Sequence, residues 1–307
     1  MDREARHVPV LLREVMETLR PQKGQFVVDC TVGLGGHCVE LLRAVGPQGR
    51  LIGFDFDQQN LMLAQQKLSA IGTNYSLHQT NFAALPNVLA SLGIERVDAI
   101  LADLGIASPQ IDDPARGFSY RQPGPLDMRM DRSRGQPAAA LVNRLSEKEL
   151  ATTIRELGDE EDAEAIASLI VQHREMHPIE TTQDLTQIVC EARHFTLQRA
   201  AGAKLHPAAR TFQALRMMVN REIANLERLL DVLPDCLNGG GRAALISFHS
   251  GEDRLVKRAL RDGLEAGGYS QVSRDPVIAG DAEQKANPRS RSAKLRWAER
   301  SQLKSET

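Results

Sequence analysis

Four short strand-like runs, three of them largely apolar and most of them followed by a helical pattern, constrain this chain more than anything else in it. Phe26-Val27-Val28-Asp29, Arg50-Leu51-Ile52-Gly53-Phe54-Asp55, Tyr75 to Gln79 and Val97-Asp98-Ala99-Ile100-Leu101-Ala102-Asp103 read as strands. A strand with water on one face alternates apolar and polar side chains; the runs at 26, 50 and 97 scarcely alternate, so both of their faces must be covered. Helices are predicted from about His37 to Val45 and from Gln59 to Ala70. Strands alternating with helices give a doubly wound α/β fold with a mostly parallel sheet, because a parallel neighbour is reached only by a crossover. Ahead of the first strand, Val8, Leu11, Leu12, Val15 and Leu19 keep helical spacing, and Pro21 with Gly24 closes that segment.

The rhythm breaks after Asp103. Residues 106–135 are rich in Pro, Gly, Asp and Arg and read as an ordered but irregular loop, too long for a mere connector. From Leu145 to Leu205 the pattern is helical, and six acidic residues among the nine from Glu156 to Glu164 suggest a solvated helix face. Phe212, Leu215, Val219, Ile223, Leu226, Leu230 and Leu233 then mark one long amphipathic helix, stopped by Asn238-Gly239-Gly240-Gly241. Arg242 to Phe248 is a further buried strand. The sheet domain is therefore expected to be discontinuous, residues 1–110 and 207–307. An inserted loop and all-helical domain, residues 111–206, interrupts it and is the candidate for substrate recognition.

The turn after the first strand, Gly33-Leu34-Gly35-Gly36, lets the backbone curl tightly and admits a ligand where a side chain would collide. An acid at the end of the next strand is expected to bind ribose hydroxyls, and Asp55 lies nineteen residues after Gly36, where that strand ends. Asn81-Phe82 follows the third strand and would lay a ring against adenine; Asp103 ends the fourth. A dinucleotide fingerprint needs a third glycine, and Cys38 stands there instead. Acids at three strand ends, Asp29, Asp55 and Asp103, suit the cationic S-adenosyl-L-methionine better than a pyrophosphate. Taken alone, the glycine turn also fits a helix merely packed on a strand.

Composition narrows the classes further. Among 307 residues the net charge is −2, which argues against coating naked nucleic acid through bulk electrostatics but leaves room for a local basic surface. Lys285 to Arg300 is such a stretch, with six Lys or Arg in sixteen residues. No apolar run is long enough to span a membrane, and the polar, mixed-charge start is no secretory signal, so the cytoplasm is expected. Cys30, Cys38, Cys190 and Cys236 are scattered, with no C-x-x-C pair; buried reduced thiols are expected, with no metal site.

Longer strings are more specific. His7-Val8-Pro9-Val10-Leu11-Leu12, Asp29 through His37, Asp103 through Gln110, Gly124-Pro125-Leu126-Asp127-Met128-Arg129-Met130-Asp131 and His206 through Asn220 resemble the bacterial 16S ribosomal RNA cytosine-N4 methyltransferase family. So do Ser247-Phe248-His249-Ser250 with Glu252-Asp253-Arg254, and Asn287 through Arg300; the resemblance runs from His7 to about Arg300. It implies a class I methyltransferase domain with an inserted helical domain. It also implies N4-methylation of a decoding-site cytidine in 16S rRNA, with S-adenosyl-L-methionine as donor and rRNA or the small ribosomal subunit as partner. Carried over by position, the family's cofactor residues fall on Gly35, Gly36, His37, Asp55, Phe82, Asp103 and Gln110. Cys30 and Gly251 depart from the commoner residues, and the stretch from Tyr269 to Asn287 is shorter than in many relatives.

Asp103 and His249 are the candidates for catalytic contact, His249 with a helix-capping role equally open. For RNA, Arg289, Arg291, Lys294 and Arg296 are expected on phosphates. Trp297 offers a base platform or, more simply, core packing. The Arg-bearing loop from Arg116 to Arg134 is the expected lid over a base drawn out of its stack.

Overall fold

The computed structural model describes residues 9–106 and 108–302, with the side chains of 108 and 109 left aside. His7, Val8 and Ala107, part of the strings quoted above, lie outside the described residues. The chain divides into two compact units, Met1–Gly105 with Ile223–Thr307, and Ile106–Glu222.

The first unit is built on seven strands: β1 (Phe26–Asp29), β2 (Arg50–Asp55), β3 (Tyr75–Gln79), β4 (Val97–Asp103), β5 (Leu237–Ser247), β6 (Tyr269–Val272) and β7 (Lys294–Arg300). Their order is β3-β2-β1-β4-β5-β7-β6, with β1 to β5 parallel and β7 antiparallel to both of its neighbours. The absence of alternation in the strands has the expected cause. Val27, Leu51, Leu101 and Ile246 face one apolar cluster, which the helices Leu12–Leu19 and Gly36–Val45 complete. Val28, Ile52, Ile100 and Leu245 face another, completed by the helices Glu222–Cys236 and Ser250–Glu265. The chain order reverses between β1 and β4, which opens a crevice at the carboxyl ends of these strands.

The second unit has its own core, in which Phe118, Leu126, Met128, Ile154, Ile166, Ile170, Leu185 and Phe212 are buried together. Its main helices are Ala138–Arg144, Glu147–Gly158, Ala163–Met176, Thr182–Ala192 and Ala209–Val219. Two of them open with capping boxes, Ser146 with Glu149 and Thr181 with Asp184. The compact unit runs to Glu222, so the 209–219 helix belongs to it, whereas the sequence reading returns to the sheet domain at 207. Phe212 and Leu215, on its apolar face, pack into the helical core.

Four features differ from the sequence reading. The single long helix is two, parted at Asn220–Arg221, where Arg221 takes a φ of 52° and the Asn220 side chain donates to Met128 O at 2.8 Å. Asn238 to Gly241 does not stop a helix; it bulges inside β5, where the register with β4 shifts and Asn238 donates to Asp98 at 2.9 Å. The acidic run from Glu156 is a helix end and a turn, and Glu160, 1% exposed, pairs with Arg193 at 3.3 Å. The Arg116–Arg134 loop is tied down: Arg116 is buried and donates to Met130 O at 2.9 Å, while Leu126 and Met128 sit in the core.

Candidate active site

β1, β2 and β4 each end on an aspartate, Asp29, Asp55 and Asp103. The Gly33–Gly36 turn joins the first of these strand ends to the helix Gly36–Val45. Gly33 and Gly35 have φ of 50° and 78°, a region L side chains adopt only with strain. At Gly35 a Cβ would also meet Ala64 at 3.0 Å, and at Gly36 it would meet Pro9 at 2.4 Å, so these two glycines are fixed by packing within the unit. Gly33 has no such neighbour within 3.9 Å, and its face of the turn is open.

Asp55 shapes that turn. Its Oδ2 accepts from the Gly33 N–H and its Oδ1 from the Asp57 N–H, each at 2.8 Å. Burial pushes its pKa up from 3.8 to about 6, against those two N–H groups and Asn60. Asp103 is likewise pushed up to about 6, chiefly by burial, with His37 opposing and Asp29 and Glu252 adding to the rise. Asp29, 1% exposed, accepts from the Thr31 N–H at 3.0 Å and from the Cys38 thiol at 3.0 Å. Cys38 thus puts a donor on Asp29, a bond that a glycine at this position cannot make.

Among the described residues no Lys or Arg acts on Asp55 or Asp103; the one basic neighbour is His37, whose Nδ1 lies 4.0 Å from Asp103 Oδ2. A partly buried cluster of carboxylates without a cation is the natural seat for a positively charged ligand. An ammonium and a sulfonium fit it, and Asp55, whose two oxygens also receive the Asn60 amide at a long 3.4 Å each, keeps acceptor capacity for ribose hydroxyls. The donor set therefore suits S-adenosyl-L-methionine, and a pyrophosphate would meet repulsion from all three acids.

The remaining residues fall as follows. Phe82 opens a 3-10 turn just past β3, half-buried against the core. His37, 6% exposed, lies in the first turn of its helix, with Nε2 3.0 Å from Val10 O. Gln110 is buried in the short helix Ser108–Asp112 of the second unit. His249 is the N-cap of Ser250–Glu265: its Nδ1 accepts from the Glu252 N–H at 3.4 Å, and its Nε2 stands 3.0 Å from Glu252 Oε1 without hydrogen-bond alignment. The capping role is the one the structure realises.

The basic stretch divides. Arg289 and Arg291 are exposed on the turn Pro288–Ser292, and Lys294 is partly exposed at the start of β7. Arg296 is a correction to the sequence reading. It is 4% exposed, and its Nε donates to Asp253 Oδ1 at 2.6 Å, so it serves the fold rather than a phosphate. It is buried because β7 is an interior strand with neighbours on both sides. Trp297 packs at the edge of the apolar cluster, with Arg242 over its ring at 5.9 Å.

Sequence reasoning misses Thr31 and gives Glu252 no role. The Thr31 Oγ1 accepts from the Asp103 N–H at 2.6 Å and so ties the end of β1 to the end of β4. Glu252, 3% exposed, accepts from the Phe248 N–H at 3.0 Å and shapes the turn after β5. The Thr31 signal was a hydroxyl two residues past Asp29, a spacing common in capped turns.

The sequence matches the MraW methylase family over residues 4–301. A ribosomal RNA small subunit methyltransferase H from Geobacter sp. (strain M21) is 44% identical over 310 residues, covering 96% of this chain and 98% of that protein. The protein of that name from Symbiobacterium thermophilum is 46% identical over 305 residues, covering 94% of this chain and 95% of that protein. The one from Solidesulfovibrio magneticus is 45% identical over 318 residues, covering 98% and 97%.

Proposed function

The chain belongs to the MraW methylase family, and from that premise we propose that it methylates N4 of a decoding-site cytidine in 16S rRNA, with S-adenosyl-L-methionine as donor. The observation that carries the reading is the row of carboxylates at the ends of β1, β2 and β4, without a Lys or Arg ion-pair partner among the described residues, beside the open face of Gly33. Relatives named for ribosomal RNA small subunit methylation support the substrate class.

When bound, the donor supplies an electrophilic methyl group on a sulfonium. Asp55 would hold its ribose, Gly33 would let it approach the backbone, and Phe82 would border its adenine. Asp103 would face the reacting centre. The cytosine N4 lone pair is delocalised into the ring, so the amine is a weak nucleophile, and holding it at roughly 3–3.5 Å from the methyl carbon supplies much of the acceleration. As the N4–CH3 bond forms and the S–CH3 bond breaks, the electron pair goes to sulfur and N4 gives up a proton. A carboxylate such as Asp103 can orient the N4 hydrogens and accept that proton. None of the four buried cysteines is needed for a covalent adduct with the base.

The second unit, with its separate core and the Arg-bearing loop, would recognise the RNA, and Arg289, Arg291 and Lys294 would pair with phosphates. The test is incubation of the protein with isotopically labelled donor and small subunits lacking the modification, followed by nucleoside mass spectrometry. Label on cytidine N4 supports the reading. Label on a ring carbon or a ribose hydroxyl, or no transfer, rejects it.

A further inference from the structure

At the tip of β4, Asp103 is ringed by groups from three other elements: Asp29 of β1, Glu252 of the helix Ser250–Glu265, and His37 of the helix Gly36–Val45. Its backbone is fixed by the Asp103 N–H donating to Thr31 Oγ1 at 2.6 Å, and its Oδ1 receives the Gly105 N–H at 3.3 Å. Its Oδ2 is turned to His37 Nδ1, 4.0 Å away, with the two side chains 21% and 7% exposed.

The orientation of the imidazole decides what that approach means. His37 Nε2 lies 3.0 Å from Val10 O, and a carbonyl oxygen only accepts, so Nε2 carries a hydrogen. The nitrogen facing Asp103 is then either a bare lone pair or the site of a second proton. A lone pair turned toward a carboxylate in a poorly solvated site is repulsive; a proton there makes the same contact attractive. Burial first, and then two acids, push a proton onto Asp103, and one histidine draws it off.

We propose that His37 is the charge partner of Asp103, a positioning residue that keeps the Asp103 carboxylate ionised and so able to accept a hydrogen bond from the amine of the target base. The catalytic half of this statement rests on the methyl-transfer reading above; the pairing does not. Glu252 acts in the opposite sense, so the two neighbours set the proton state of Asp103 between them.

The experiment follows the carboxyl carbon of Asp103 by NMR in aspartate-labelled protein across pH 4 to 9, without donor or RNA, the resonance being identified by its loss in Asp103→Asn. His37→Gln should move the Asp103 midpoint up by about one pH unit, since an opposite charge within about 4–6 Å typically lowers a carboxyl by 1–3. Glu252→Gln, which keeps an oxygen for the Phe248 N–H, should move it down. The acid limb of the methyl-transfer rate should follow in both variants, which a merely structural role would not produce.

An Asp103 midpoint that His37→Gln leaves unmoved within about a tenth of a unit, or moves down, overturns the pairing, whatever Glu252→Gln does. Opposite midpoint displacements that the rate profile does not follow overturn the positioning role. A wild-type protein that transfers no methyl group to rRNA overturns the functional reading, while the carboxyl titration still decides the pairing.

Discussion

Replacing Asp55 by asparagine should separate donor binding from folding. The Asp55 carboxylate takes two backbone N–H groups at 2.8 Å, one on each oxygen, and the Asn60 amide at 3.4 Å on both, a long shared contact that two hydroxyls would displace. In Asp55→Asn one oxygen becomes an NH2 group. One backbone N–H then loses its acceptor, at about 1–3 kcal/mol. Against that, the neutral side chain escapes the burial that raises the Asp55 pKa from 3.8 to about 6, worth up to about 3 kcal/mol at neutral pH. Some water contact makes this an upper figure. The two effects nearly offset, so the melting temperature should change by only a few degrees. Donor binding has no such offset. Two hydroxyls donating to a carboxylate make charge-assisted bonds of about 1.5–3 kcal/mol each. Weakening one and losing the other costs about 2–4 kcal/mol, or roughly a 30- to 1000-fold rise in Kd. Isothermal titration with S-adenosyl-L-methionine, beside a thermal unfolding scan, reads both quantities. A folded Asp55→Asn protein with Kd within threefold of wild type would refute the assignment of the ribose site.

Other expectations follow from the same geometry. Asp55 and Asp103 hold their charge only above about pH 6, so donor affinity should be flat above neutrality and weaken as pH falls through 6. Between about pH 4 and 6 the folded protein binds more protons at these groups than the unfolded chain, so their contribution to stability declines as pH rises, and Asp55→Asn should flatten that part of the profile. Burial alone would raise the Asp253 pKa, but its bonds to Arg296 and Lys294 hold it below the ordinary range. Asp253→Ala strands a buried guanidinium and should cost about 3–5 kcal/mol in denaturant unfolding, with Arg296→Ala adding little on top. Arg291→Ala should instead leave unfolding unchanged and weaken RNA binding, reducing the slope of log affinity against log salt by about one.

Much of the fold was legible in the sequence because β1, β2 and β4 are buried on both faces and carry a clear apolar signature. β1, β2, β3 and β4 fall where Phe26–Asp29, Arg50–Asp55, Tyr75–Gln79 and Val97–Asp103 are expected. β7 was hidden because Lys294, Arg296 and Arg300 make an interior strand look like a basic tail, and only the Asp253 partner, 43 residues earlier, explains how Arg296 can be buried there. The break at Arg221 was hidden for a related reason. Apolar spacing passes through it undisturbed, and its cause is a bond from Asn220 to the Met128 carbonyl, 92 residues away. The glycine triplet was misread because glycine marks a loop and a strand bulge equally well. In the candidate site, the acids were visible by their positions at strand ends, whereas the roles of Thr31 and Glu252 depend on bonds between chain-distant elements.

The acids are worth placing against the glycines beside them. Gly35 and Gly36 are held to glycine by Ala64 and Pro9, so this turn would keep its shape with no ligand present. The carboxylates are different: the raised pKa values of Asp55 and Asp103 show that burial works against their charge and outweighs the donors and the histidine that favour it. A rigid backbone cradle therefore carries buried carboxylates, Asp103 with His37 4.0 Å away, whose charge an arriving cation would balance further. Such a site is organised before binding and discriminates by charge, since a neutral thioether left after methyl transfer relieves the carboxylates less than the sulfonium did. Spent donor should on that account leave more readily than fresh donor, and the preference should shrink when Asp103 is made neutral.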